Sequence, residues 1–267
     1  MNNNSINQPS YTLIQGRVPL LISMPHNGQV IPDDIAATMT AKARTVPDTD
    51  WYIDKLYDFA QQLGAYLLKP VYNRYVIDLN RSKFNENLYP GANSTELCPT
   101  TTFDLSPLYI AGKAPDQAEI NRRIELYWQP YHQALTTTLA SIKQHFGKAV
   151  LLDAHSILSQ VPRFFADKLP DFNFGTADGQ SCAAQLIEQV EQLDLTPYSS
   201  VINGRFKGGY ITRAYGKPEK NIHAIQLELS QCTYLQEPSN QYLEDEANKV
   251  KIKLNAFVQC LINFAQH

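Results

Sequence analysis

The chain has 267 residues, 43% hydrophobic and 18% charged, which suits one sizeable core and excludes collagen-like, coiled-coil and wholly disordered classes. Its 23 basic and 26 acidic side chains leave a formal net charge of −3, and no Lys/Arg cluster is denser than Arg122-Arg123, so nucleic acid is not an expected partner. No apolar run approaches the roughly 18 residues a membrane span needs, so no membrane partner is expected either.

The polar start, Met1 to Gln8, has no basic segment followed by an apolar one, and the cytoplasm is the expected compartment. Cys98, Cys182, Cys232 and Cys260 are scattered without a Cys-x-x-Cys pair, the pattern of free thiols in a reducing compartment. With no repeat or long linker, residues 1–267 form a single domain with a flexible 1–10 segment. Oligomeric state has no signature here; a monomer is compatible with the sequence.

In chain order, the first strand is predicted at Pro19-Leu-Leu-Ile-Ser-Met-Pro25, a continuous apolar run of the kind buried on both faces. A helix follows over Asp50 to Gly64, with Gly64 as its stop. Ala65-Tyr-Leu-Leu-Lys69 is the next strand and Tyr75-Val-Ile-Asp-Leu79 a candidate for another. Pro115 to Gly147 reads as a long helical region bent at Pro130. The strand Ala149-Val-Leu-Leu-Asp153, a helix over Gln180 to Leu193, the strand Ala224 to Leu229 and a helix over Ser239 to Ala265 complete the pattern. Strands alternating with helices predict an α/β domain, with a mainly parallel or mixed central sheet and helices on both faces. Ligands of such sheets gather at the carboxyl ends of the strands.

The chemically interesting residues sit at those ends. His26 follows the first strand and His155 follows the strand ending at Asp153, so the two can meet as metal ligands, or each can be a hydrogen-bonded loop histidine. Asp153 has the side chain that orients a ligating imidazole from behind, or caps a strand end. A third ligand is often a carboxylate; Gln29, three residues after His26, is a poor one, which leaves Asp48 and Asp50, with Asp50 preferred. Both can equally be helix caps.

Arg74, Asp78, Asn80 and Arg81 surround the short apolar run at 75–79, where arginine offers bidentate carboxylate recognition or a surface salt bridge. Glu228, between two leucines, faces solvent or is buried as a general base with a tuned pKa. Asn203 to Gly216 holds four glycines with Arg205, Lys207 and Arg213, as a mobile anion-facing loop or as a hairpin.

Taken together, Pro19 to His26, Pro47-Asp-Thr-Asp-Trp51, Tyr75 to Arg81, Trp128-Gln-Pro-Tyr-His132, Leu152-Asp-Ala-His-Ser156, Asn203 to Gly209 and Gln226 to Tyr234 resemble the N-formylglutamate amidohydrolase family along nearly the whole chain. A more distant resemblance is to zinc carboxypeptidases and aspartoacylases. These likenesses imply a zinc-carboxypeptidase-like fold and a Zn2+ ion, or another divalent metal, held by His26, Asp50 and His155. They imply Glu228 as general base, Arg74 as the carbonyl-polarising cation, and Asn80 and Arg81 on a substrate carboxylate. Arg205 or Arg213 is placed on the other carboxylate of a small dianionic substrate. The implied reaction releases formate and L-glutamate from N-formyl-L-glutamate, the last step of a histidine degradation route. Hydrolysis of another N-acyl amino acid or a peptide is the first alternative. A non-catalytic binder of acidic amino acids would need the arginines without the histidines or Glu228. A cysteine hydrolase would need a nucleophile context that none of the four cysteines has.

Overall fold

The structure, a computed structural model, describes residues 9–86 and 94–267. The predicted flexible segment 1–10 lies outside these residues as far as residue 8. By Ser10 the chain is already anchored, its carbonyl accepting from Val71 N at 3.0 Å.

Among the described residues the core is a seven-stranded mixed sheet: β1 (Tyr11–Ile14), β2 (Leu20–Ser23), β3 (Tyr66–Pro70), β4 (Ala149–Ile157), β5 (Phe172–Gly175), β6 (Ser200–Ile202) and β7 (Ile222–Ser230). The spatial order is β1-β3-β2-β4-β7-β5-β6. The central strands β3, β2, β4 and β7 are parallel; β1 joins β3, and β5 joins β7, antiparallel.

The continuous apolar runs are explained by cover on both faces. Leu20, Ile22, Leu152 and Ile225 pack with Leu254, Phe257 and Val258 of the C-terminal helix Glu244–Gln266. Leu21, Leu151 and Ala224 point the other way, against Leu135, Leu139 and Ile142 of helix Gln129–Phe146. Each fully buried Leu or Ile contributes roughly 1.5–3 kcal/mol. The four strands predicted at 19–25, 65–69, 149–153 and 224–229 are present. β4, however, runs on to Ile157, so His155 lies within the strand rather than after it.

Two predictions need correction, and one of two open alternatives falls away. Tyr75 to Leu79 is not a strand: Asn73 Oδ1 accepts from Tyr75 N at 3.0 Å and Val76 N donates to Asn73 O, so the chain turns here. Its apolar residues are buried in two directions, Tyr75 and Val76 in one cluster and Ile77 and Leu79 in another, as a short apolar run permits without a strand. The helix over 50–64 is two short ones, Ile53–Leu56 and Asp58–Leu63, and neither Asp48 nor Asp50 caps the first; Gly64 does terminate the second, at φ +89°. Asn203 to Gly216 is no hairpin: a loop leads into helix Tyr210–Tyr215.

The long helical region keeps its continuity through Pro130. Helix Gln117–Arg123 passes into a wide π-turn, Ile124–Trp128, and then into Gln129–Phe146. Proline lacks the N–H that a regular helix would use at this point, and the widened turn accommodates the loss.

Candidate active site

Asp153 and His155 alternate along β4 on one face, and in the parallel register they lie beside Gln226 and Glu228 of β7. His26 comes off the end of neighbouring β2, where Asp50 N donates to its carbonyl at 3.1 Å. The carboxyl end of the sheet thereby gathers Asp50 and Glu228 with His26 and His155, the two histidines the sequence places after strands.

His26, Asp50 and His155 are all buried, and one donor atom from each falls within 4.8 Å of the others. Asp50 Oδ2 lies 3.0 Å from His155 Nδ1 and 3.9 Å from His26 Nδ1. The opposite ring nitrogens face carboxylates: His26 Nε2 is 2.6 Å from Asp78 Oδ1, and His155 Nε2 is 3.0 Å from Asp153 Oδ1. Each imidazole thus turns Nδ1 toward Asp50 with a carboxylate on its Nε2 side, and at His26 the hydrogen bond to Asp78 is of the kind that fixes the tautomer of a metal-ligating histidine. Two imidazole nitrogens and one carboxylate oxygen are a donor set for a divalent metal.

Asp48, the other acidic candidate, is turned elsewhere: its Oδ2 accepts from Tyr75 OH at 2.5 Å and from Phe103 N at 2.8 Å. Gln29 is exposed. Asp50 is held by more than the triad, since Ser156 N donates to its Oδ2 at 3.1 Å. Gln231 Nε2 and Tyr234 OH donate to the carbonyls of Thr49 and Trp51 on either side of it, at 3.1 and 2.8 Å.

Asp78 is the residue whose role residue-by-residue reading of the sequence missed. One oxygen holds His26; the other accepts from Arg74 Nη2 at 2.9 Å. Burial opposes its ionisation, but His26 and Arg74 together hold it well below the usual carboxylate range. Its place four residues after Arg74 is the one sequence signal that could have revealed the pair.

Burial shapes the rest of the electrostatics. His26 is pushed down, first by desolvation and then by Arg74. For His155 desolvation acts downward too, yet Asp153 and Asp50 together hold it well above the ordinary histidine range. The Glu228 carboxyl is driven up to about 8, chiefly by burial. It does not face solvent. It lines a cavity of about 90 Å3 together with His26, Arg74, Arg81, His155 and Arg205.

The arginines divide. Arg74 lies over the Phe103 ring, 5.0 Å from its centroid, and its Nε is buried without a hydrogen-bond partner among the described residues. Arg81 Nε is likewise buried and has no hydrogen-bond partner among the described residues, while its Nη2 donates to Thr95 Oγ1 at 3.3 Å. Arg205 reaches the cavity with its Nε tied to Phe164 O at 2.7 Å. Arg213 is not among the residues lining the cavity; its Nε donates to Gly208 O at 2.9 Å.

Asn80 lines the cavity as well, but its amide is engaged within the protein. Oδ1 accepts from Ile211 N at 2.8 Å, and Nδ2 lies 2.9 Å from His155 Nε2 and 3.3 Å from Asp153 Oδ2. Only a glycine fits beside it, because a Cβ on Gly209 would stand 2.4 Å from Asn80 Nδ2.

Residues 18–235, which contain every one of these side chains, match the model of a family described as N-formylglutamate amidohydrolase. The chain belongs to the N-formylglutamate amidohydrolase family. It is 48% identical over 251 residues to the N-formylglutamate deformylase of Pseudomonas putida, covering 93% of this chain and 94% of that one. To the N-formylglutamate deformylase of Pseudomonas aeruginosa it is 47% identical over the same length. Among solved structures, an N-formylglutamate amidohydrolase from Ralstonia eutropha superposes with a TM-score of 0.80 at 27% identity, covering 96% of this chain and 97% of that one. A protein of Agrobacterium tumefaciens shares the fold at 15% identity, with a TM-score of 0.73.

Proposed function

We infer that the protein hydrolyses the formyl amide of N-formyl-L-glutamate, releasing formate and L-glutamate. The observation that carries this reading is end-to-end likeness at 48% identity to a curated N-formylglutamate deformylase, in a chain whose buried His26, Asp50 and His155 converge beside Glu228.

The donor set suits a divalent ion, and we assign Zn2+, held by Nδ1 of both imidazoles and a carboxylate oxygen of Asp50. When bound, such an ion supplies Lewis acidity to a carbonyl oxygen and lowers the pKa of water. Glu228 accepts the proton of the attacking water and delivers it to the departing nitrogen. Arg74, buried at the cavity wall and fixed by Asp78, stabilises negative charge developing on the formyl oxygen.

N-formyl-L-glutamate is a dianion and the chain's net charge is −3, so recognition must be local. We assign one carboxylate to Arg81 and the other to Arg205, both at the cavity. Asn80 supports the site by donating from Nδ2 to Asp153 Oδ2, the carboxylate beside His155. Four free thiols fit a reducing compartment, the cytoplasm, and the product glutamate fits the end of a histidine degradation route.

Formate production from N-formyl-L-glutamate, compared with acetate production from N-acetyl-L-glutamate, tests the assignment. Preference for the formyl compound by more than about tenfold in kcat/KM is expected. Turnover of the acetyl compound alone would move the protein to another acyl-amino-acid hydrolase. Binding of either without turnover would make it a binding protein.

A further inference from the structure

Asn80 and Arg81 have no regular secondary structure to hold them: they sit in an irregular segment after a turn, yet both are buried or half-buried at the cavity. Their backbone is gripped from outside the site. Trp128 Nε1 donates to the Arg81 carbonyl at 3.0 Å, and His132 Nε2 faces the Leu79 carbonyl at 2.9 Å. The two donors therefore bracket Asn80, one carbonyl before it and one after.

The helix presents this pair as a unit. Trp128 ends the π-turn and His132 lies four residues on, so both project from one face. Their rings stack with centroids 3.7 Å apart and planes 20° from parallel. A carbonyl partner requires a proton on His132 Nε2, which leaves Nδ1 to accept from Tyr215 OH at 2.9 Å. Burial drives this imidazole down to about 3, so it stays neutral and keeps that tautomer throughout the working pH range. Tyr215 and Ile211 both belong to helix Tyr210–Tyr215, and Ile211 N is the donor to Asn80 Oδ1. The Asn80 segment is thus fixed by its backbone on one side and by its side chain on the other.

We propose that Trp128 and His132 are positioning residues, a paired-donor clamp on the Leu79 and Arg81 carbonyls that sets the aim of the Arg81 guanidinium at the substrate. The role rests on the assignment of Arg81 to a substrate carboxylate made above. It separates the clamp from the chemistry: neither ring lines the cavity, and neither needs to touch substrate.

The test is a double-mutant cycle on the metal-loaded enzyme with N-formyl-L-glutamate. Trp128→Phe keeps the stacked ring and removes the donor; it is expected to raise KM by about fivefold or more with kcat within about twofold. Arg81→Ala is expected to raise KM by at least about tenfold, and in that background Trp128→Phe should add less than about twofold. His132→Phe, which keeps an aromatic ring on Trp128 and loses the Leu79 donor, carries the same test if Trp128→Phe melts early. Independent, multiplying effects of Trp128→Phe and Arg81→Ala would overturn the clamp while leaving Arg81 on the substrate. An unchanged KM in Arg81→Ala alone would overturn the Arg81 assignment and the clamp with it. An unchanged KM in both donor-deleting variants, with Arg81→Ala impaired, would remove the clamp alone.

Discussion

His26 Nε2 and Asp78 Oδ1 meet at 2.6 Å across 52 residues of chain, and Asp78 uses its other oxygen for Arg74. One carboxylate therefore orients both a candidate metal ligand and the cation assigned to the formyl oxygen. Asp78→Asn keeps the shape but weakens both hydrogen bonds and releases the His26 tautomer. Metal affinity should fall by about 10–100-fold, the range seen when a carboxylate behind a ligating histidine is lost. Competitive titration with a zinc-binding dye measures it, and unchanged affinity would remove Asp78 from the support of the site.

Glu228 lies beside His155 in the β4–β7 register but outside the triad. Glu228→Gln should retain the metal and lower kcat by at least ~10². Metal content by atomic absorption, measured on the sample used for kinetics, separates loss of the base from loss of the ion. Near-normal turnover would exclude Glu228 as the general base.

The same carboxyl imposes a pH dependence on stability in the metal-free protein. Its folded pKa, about 8, lies above the ordinary 4.5, so between these values the folded state binds the extra proton and the unfolded state does not. The contribution of Glu228 to stability is therefore largest below about 4.5 and declines as pH rises through about 8. Measured against Glu228→Gln, which lacks this ionisation, the parent protein should lose ground steadily from pH 5 to pH 8. Denaturant melts of both proteins across that range check the sign. A constant difference would show that Glu228 titrates normally in the folded chain.

Much of this site was legible before the fold was known. Leu20-Leu-Ile and Val150-Leu-Leu read as strands covered on both faces, and the rule that ligands collect at carboxyl ends pointed to His26 and His155. Glu228 could not be settled from alternation, because whether a strand face is wet depends on what packs on it; here β5 closes the neighbouring edge and the carboxyl is buried. Tyr75 to Leu79 misled for a related reason. Its apolar side chains are buried in two directions around a turn, and burial alone does not distinguish a turn from a strand. The His26–Asp78 contact and the clamp on Asn80 join segments some 50 residues apart, where local spacing carries no signal.

The arginines offer a further separation. Arg205 lines the cavity, whereas Arg213 does not and donates to Gly208 O. Arg205→Gln should raise KM for N-formyl-L-glutamate by about tenfold or more, and Arg213→Glu should leave it within about threefold. Steady-state kinetics on the two variants decide the matter. The reverse ranking would place Arg213 on the second carboxylate.

The most direct measurement follows formate release from N-formyl-L-glutamate through removal and return of the metal, with His155→Ala alongside. Chelated protein should be inactive and regain turnover when Zn2+ is added, while His155→Ala should neither retain the ion nor respond to it. Undiminished formate release from protein shown to be free of metal would contradict a metal centre built on His26, Asp50 and His155.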